Sequence, residues 1–277
     1  MMKNLLFLLT LTLMSFRLET NKITWVAIGD SITYLNDHLA ETGNRVSKGY
    51  LTRVSDELKF LNYINKGYNG WTAAAVAERI ESLEVPKADV YTVFLGTNDW
   101  WAGRPVGQIE DYKSNKGYST FYGSIAVIVN AIKKLSPKAR IILITPMQRA
   151  DFVYIADKNN NAYGSYKEKA GQTLEDFADA ILKIGAESDL KVIDLYHDKS
   201  LGLKKLVKFK RLKIPGTGNY KNYSLKSSFN IPFNPQKDDY PYPPEAIQMT
   251  YDGLHPSDSG NQVIANKLIK VLSSLEH

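Results

Sequence analysis

Five short runs of apolar, largely β-branched residues limit what this chain can fold into: ITWVAI (23–28), a weaker run at 62–65, VYTVFL (90–95), IILIT (141–145) and KVIDL (191–195). Each is nearly continuous rather than alternating, as in strands buried on both faces of a parallel sheet. Helical patterns at about 49–61, 72–83, 118–135 and 168–187 lie between and after them. A last helix, 260–274, carries Ile264, Leu268, Val271 and Leu272 on one face, and SGNQ (259–262) at its start reads as a capping box. Strands alternating with helices predict right-handed βαβ units and a doubly wound α/β sheet.

Residues 198–248 break that rhythm. They hold eight prolines and glycines between Pro215 and Pro244, with Phe209, Tyr220, Tyr223, Phe229, Phe233, Tyr240 and Tyr242 threaded through them. A connection of this length suggests a lid or a binding surface, inserted in one domain spanning 21–277. The charge is concentrated there too. Residues 199–237 contain ten of the 35 Lys and Arg and none of the 29 Asp and Glu, so the rest of the chain is mildly acidic despite a formal charge of +6. The basic segment suits an anionic polysaccharide or an anionic membrane surface, or is simply solvated. Nucleic acid is not expected, since no binding fold for it accompanies the charge.

With no cysteine in the chain, disulfides, thiolate metal sites and a cysteine nucleophile are excluded. At the start, MMKN followed by LLFLLTLTLMSF (5–16) has the shape of a secretory signal and is too short to span a bilayer comfortably. A signal peptide is therefore expected over 1–20, and with it a secreted or periplasmic protein. The alternative is a buried first strand or helix. His277, in a terminal LEH, is given no role.

Ligands of open parallel sheets bind beyond the carboxyl ends of the strands. Small or polar clusters occupy those positions: Gly29-Asp30-Ser31, NKGYNG ending at Gly70, Gly96-Thr97-Asn98-Asp99, and Asp252-Gly253-Leu254-His255-Pro256 before the last helix. A serine hydroxyl needs a base to become a nucleophile, and His255 is the best placed, His38 and His197 lying in less organised surroundings. Asp252, three residues earlier, can bond the far ring nitrogen. The backbone N–H groups of Ser31 and Gly70 and the Asn98 amide are available donors for an oxyanion. Ser31 can equally be a helix cap on this evidence, as serine and aspartate are both favoured N-caps.

The four clusters resemble the blocks of the SGNH/GDSL hydrolase family: GDSIT, Gly70, GTND and DGLHP, in order across about 23–272. The resemblance implies a three-layer α/β/α fold with a five-stranded parallel sheet of flavodoxin type. It implies Ser31 as nucleophile, His255 as base, Asp252 as its orienter, and Ser31, Gly70 and Asn98 as the oxyanion hole. Ile32 stands where the family most often has Leu. The family's members are esterases, lipases and acyl-sugar deacetylases, so a small-molecule or polysaccharide ester is the expected substrate, with no cofactor and no metal.

Beside the asparagine block, Trp100 and Trp101 are expected either in the core or along the substrate pocket. Arg104 faces solvent or an acidic group, and Asp30 and Asp99 hold loop backbones. Deacetylation of a carbohydrate is the favoured activity. A lysophospholipase-like or acyltransferase activity on lipid esters and a non-catalytic glycan-binding role are the alternatives. A metallophosphoesterase would need several clustered His and carboxylates, and the four His of this chain are scattered.

Overall fold

The computed structural model describes residues 22–275; the expected signal peptide lies outside the described residues, as does His277. Strands β1 (Ile23–Gly29), β2 (Leu61–Gly67), β3 (Val90–Phe94) and β4 (Arg140–Ile144) are followed by a small antiparallel pair, β5 (Phe152–Val153) and β6 (Asn161–Ala162). The fifth strand of the main sheet is β7 (Lys191–Ile193). The sheet is parallel throughout, in the order β2-β1-β3-β4-β7. That order reverses direction between β1 and β3, the switch point where doubly wound sheets open a crevice.

Alternation along β1 explains the three layers. Trp25 and Ala27 face a core shared with Leu51 and Val54 of α2 (Tyr50–Glu57). Val26 and Ile28 face the opposite core, with Val76, Ile128 and Phe177. These belong to helices after α2 in the chain: α3 (Ala73–Arg79), α6 (Phe121–Leu135) and α7 (Leu174–Ser188). Both faces of the strand are therefore dry, and each fully buried Leu, Ile or Val contributes about 1.5–3 kcal/mol. Short helices α1 (Ser31–Tyr34), α4 (Thr97–Trp101) and α5 (Ile109–Lys113) complete this half of the chain.

The segment 198–248 is more ordered than its composition suggests. It forms a hairpin of β8 (Lys210–Lys213) and β9 (Tyr220–Tyr223), then α8 (Leu225–Ser228). Leu201, Leu206, Val207, Leu225, Tyr242 and Ala246 join the core on the α2 face. Two of its cations are neutralised internally, Lys210 by Asp151 at 2.7 Å and Lys213 by Asp238 at 2.9 Å. The last helix, α9 (Asp258–Leu272), begins earlier than its sequence signal: Ser257, just after Pro256, is the cap, and Ser259 lies inside the first turn. The expected SGNQ capping box does not form. Among the described residues, no helix is long and apolar enough to cross a membrane.

Candidate active site

Ser31 opens α1 at the end of β1, but it is not the cap. Asp30 takes that place, its carboxylate accepting the Ile32 N–H at 3.0 Å. The Ser31 hydroxyl is left to meet His255, whose Nε2 lies 2.9 Å from Oγ. On the other side of the ring, Nδ1 lies 2.6 Å from Oδ2 of Asp252. Ser31 and His255 are each 6% exposed and Asp252 is fully buried, so water competes weakly for these bonds.

The Asp-x-x-His turn is built to hold that line. Oδ1 of Asp252 accepts the N–H groups of Leu254 and His255 at 3.0 and 2.7 Å, so the carboxylate is fixed by its own turn before it reaches the imidazole. Gly253 has φ +93°, and a Cβ there would stand 2.0 Å from the Asp151 carbonyl oxygen. Only glycine fits. The segment after β4, running into β5, clamps the turn, with Ala150 N–H on the Gly253 carbonyl at 2.8 Å and Val153 N–H on that of Asp252 at 3.1 Å.

With Nδ1–H donated to Asp252, the Nε2 lone pair faces the serine O–H, the tautomer that a general base requires. Aromatic rings restrain the imidazole. Tyr251 lies nearly parallel to it, centroids 5.9 Å apart, and Phe152 meets it edge-on at 5.4 Å. Neither ring is marked by any sequence block. Tyr251 adjoins Asp252, a position that points to it; Phe152 opens the two-residue strand β5, in a stretch that carries no motif.

The donors expected for an oxyanion converge on the same edge. Gly70 has φ +76° and open space where a side chain would stand. Among the described residues, neither its N–H nor that of Ser31 has an acceptor. Asn98 donates one amide hydrogen to the Trp71 carbonyl at 3.0 Å, leaving its second free. Asp99, fully buried, accepts the Ala73 N–H on both oxygens, at 3.1 and 2.8 Å. Burial raises the carboxyls of Asp30 and Asp99 to about 6 each.

The two tryptophans separate. Trp100 is fully buried, with its indole N–H on the Gln172 carbonyl at 3.1 Å, and presents no face to a substrate. Its place as a substrate contact is corrected: the α4 turn directs it into the core. Trp101 is half-buried and packs beside Phe152, Ala162 and Leu254. His197 is also better organised than expected, with Nδ1 2.9 Å from Asp194, but its Nε2 faces Glu175 at 3.4 Å rather than a hydroxyl. Among the described residues, no group of His and carboxylates could hold a metal.

Strand order, switch point and the cluster at their edge define an SGNH-type hydrolase fold. Residues 27–214 match the GDSL-like lipase/acylhydrolase family; the chain belongs to it, and is an ester hydrolase. The family resemblance carried by the four blocks is borne out. A solved structure described as a possible lipase from Chitinophaga pinensis DSM 2588 is 60% identical, with a TM-score of 0.90 over 92% of this chain and 99% of that one. More distant structures share the fold. One is a Lactobacillus plantarum protein, 21% identical, TM-score 0.61, over 91% of this chain and 98% of that one. Another is an acetylxylan esterase from Geobacillus stearothermophilus, 18% identical, TM-score 0.51, over 90% and 93%. No curated protein sequence matches the chain.

Proposed function

We propose that this protein is a serine esterase that removes acetyl groups from a carbohydrate outside the cytoplasm. The observation that carries the serine mechanism is the continuous line Ser31 Oγ–His255–Asp252, with separations of 2.9 and 2.6 Å. Ser31 attacks the ester carbonyl as His255 Nε2 takes its proton, and Asp252 stabilises the imidazolium. The tetrahedral oxyanion is held by the N–H groups of Ser31 and Gly70 and the free Asn98 amide hydrogen. The imidazolium then protonates the departing alcohol, and a water activated by His255 releases the acyl group from Ser31.

Half-buried aromatic rings favour a sugar as the alcohol. Tyr34 follows Ser31 on α1, Tyr68 and Trp71 stack at 4.6 Å on either side of Gly70, and Trp101 lies one residue beyond Trp100 on α4. Rings with an apolar face and a polar tip pack against pyranose faces while remaining partly wet. The fold relative named as an acetylxylan esterase supports this reading. The signal-like start at 5–16 supports export.

Hydrolysis of p-nitrophenyl acetate and release of acetate from acetylated xylan, by wild type and Ser31→Ala, test the proposal. Turnover by the wild type and its loss in the variant are expected. A variant near the wild-type rate sinks the serine mechanism. A second reading, a lipid esterase, draws on the 60% identical structure described as a possible lipase; a preference for p-nitrophenyl palmitate over the acetate would favour it.

A further inference from the structure

Beside the catalytic histidine, on the side closed by Leu254 and Phe152, lies a group of cations for which the serine chemistry has no use. Trp101 packs against both of those residues and meets Tyr163 at a centroid distance of 4.8 Å. Lys169 Nζ stands 4.5 Å from the Trp101 ring centroid and 6.0 Å from that of Tyr163. Lys167 Nζ is 5.4 Å from Tyr163 and 5.8 Å from Tyr166. Arg149 reaches the same Trp101 ring from within the fold, its Cζ 5.0 Å from the centroid, and it is only 2% exposed.

None of these three cations makes an ion pair among the described residues, whereas Arg53, Lys210, Lys213 and Lys267, all partly or fully buried, do, and Arg45, Lys66, Arg104 and Lys158 do not. Glu168, between the two lysines in sequence, pairs with neither. Arg149 donates to the Tyr163 carbonyl at 2.8 Å, while its buried Nε has no partner at all. Burial lowers the Arg149 guanidinium to about 10, the charges of Asp151 and Asp252 offsetting only part of that cost, and buried charges that are incompletely compensated gather where a ligand supplies the counter-charge.

Lys169 is also held in place. Lys169 and Gln172 exchange backbone hydrogen bonds of 2.8 and 3.0 Å around Ala170 (φ +52°) and Gly171 (φ +73°), a two-residue turn in which a non-glycine residue adopts the left-handed region. Gln172 is itself fixed, its side chain bonded to Val106 N–H at 2.6 Å and the Arg104 carbonyl at 3.0 Å. With its Nζ over Trp101 and its backbone pinned, the Lys169 ammonium loses less freedom on meeting an anion than a free surface lysine would.

We infer that the alcohol portion of the ester is an anionic glycan, a sugar chain whose carboxylate or sulfate groups are received by Lys169 and Lys167 beside Trp101, with Arg149 adding its field from below. This rests on the carbohydrate reading of the site and narrows it. It also moves acid recognition away from the basic 199–237 segment to the loop between β6 and α7.

The test compares kcat/KM on acetylated polygalacturonate and on acetylated xylan, for the wild type and the Lys167→Gln/Lys169→Gln double variant. Two partly ordered charge pairs give an expected wild-type preference for the polyuronate of about tenfold at low salt. That ratio falls towards one in the double variant, and in the wild type at about 0.5 M salt, where charges are screened within a few ångströms. Non-acetylated polygalacturonate and dextran sulfate, as competitors of p-nitrophenyl acetate hydrolysis, separate carboxylate from sulfate recognition; neutral dextran competing equally overturns the inference. So does a wild type that deacetylates both glycans equally, or a preference that survives in the double variant. If p-nitrophenyl acetate is hydrolysed and neither glycan loses acetate, the carbohydrate reading falls together with this one.

Discussion

The Asn98 side chain donates to the Trp71 carbonyl at 3.0 Å, which ties the asparagine block after β3 to the glycine loop after β2. Two of the three proposed oxyanion donors are thereby held as one unit, and the Asp99 carboxylate on the Ala73 N–H repeats the tie two residues on, at the start of α3. Asn98→Ala removes a donor and one of the tethers. It is expected to lower kcat on p-nitrophenyl acetate by roughly 10²–10³-fold. An unchanged kcat would remove Asn98 from the oxyanion hole.

Asp252→Asn probes the tautomer. The asparagine oxygen can keep the Leu254 and His255 N–H bonds now made by Oδ1 at 3.0 and 2.7 Å, so its amide nitrogen is turned towards His255 Nδ1. The proton then moves to Nε2, where it faces Ser31 and blocks general-base action. The expected result is a loss in kcat on the order of 10⁴ with the melting temperature nearly unchanged. If kcat falls less than tenfold, Asp252 does not orient the base.

Legibility in the sequence depends on whether a feature is local. Buried parallel strands announce themselves as continuous apolar runs, and four of the five main-sheet strands have one; the edge strand β2, LNYINKG and mostly half-buried, gives only a weak signal. The residues at their carboxyl ends follow at once, so Ser31, Gly70 and Asn98 can be located from chain position alone. Contacts between distant segments leave no such trace. Phe152 reaches His255 only because β5 runs alongside the Asp252–His255 turn. The Lys210–Asp151 pair joins residues 59 apart. Trp100 and Trp101 look equivalent in sequence, and only the path of α4 buries the first and half-exposes the second. The Ser257 cap is obscured for a different reason: several Ser and Asp residues crowd 257–259, and choosing among them requires the backbone path after Pro256.

Lys210 and Asp151 set a test for the inserted segment. Their side chains are 5% and 14% exposed and meet at 2.7 Å, with Tyr166 donating to the same carboxylate at 2.6 Å. Burial works against the Asp151 charge, yet the Lys210 ammonium and the Tyr166 hydroxyl together hold its carboxyl below the ordinary range. Lys210→Ala leaves that carboxylate buried and without its cation, and should destabilise the fold by about 3–5 kcal/mol in urea unfolding near neutral pH. Asp151 is depressed, so its contribution is present above its unfolded value and is lost as pH falls through the folded one; the penalty in the variant should shrink in acid. A loss below about 1 kcal/mol at neutral pH would mean that the hairpin is held by its apolar contacts alone.

Asp30 carries the opposite sign. Burial raises its carboxyl from 3.8 to about 6, the Ile32 N–H and the charge of His255 offsetting only part of that effect. Below about pH 4 both the folded and unfolded chains hold the proton, and no charge is buried. Between about pH 4 and 6 the unfolded chain releases it while the folded one retains it, so this group makes the fold less stable as pH rises. Above pH 6 the full cost, about 3 kcal/mol at 1.36 kcal/mol per unit, is present. Asn is as good an N-cap as Asp and keeps an oxygen for the Ile32 N–H. Asp30→Asn is therefore expected to unfold at higher urea than the wild type at about pH 8, by up to about 3 kcal/mol, and to match it at about pH 4. An equal difference at both pH values would show that the substitution acts through packing or capping rather than through the buried charge.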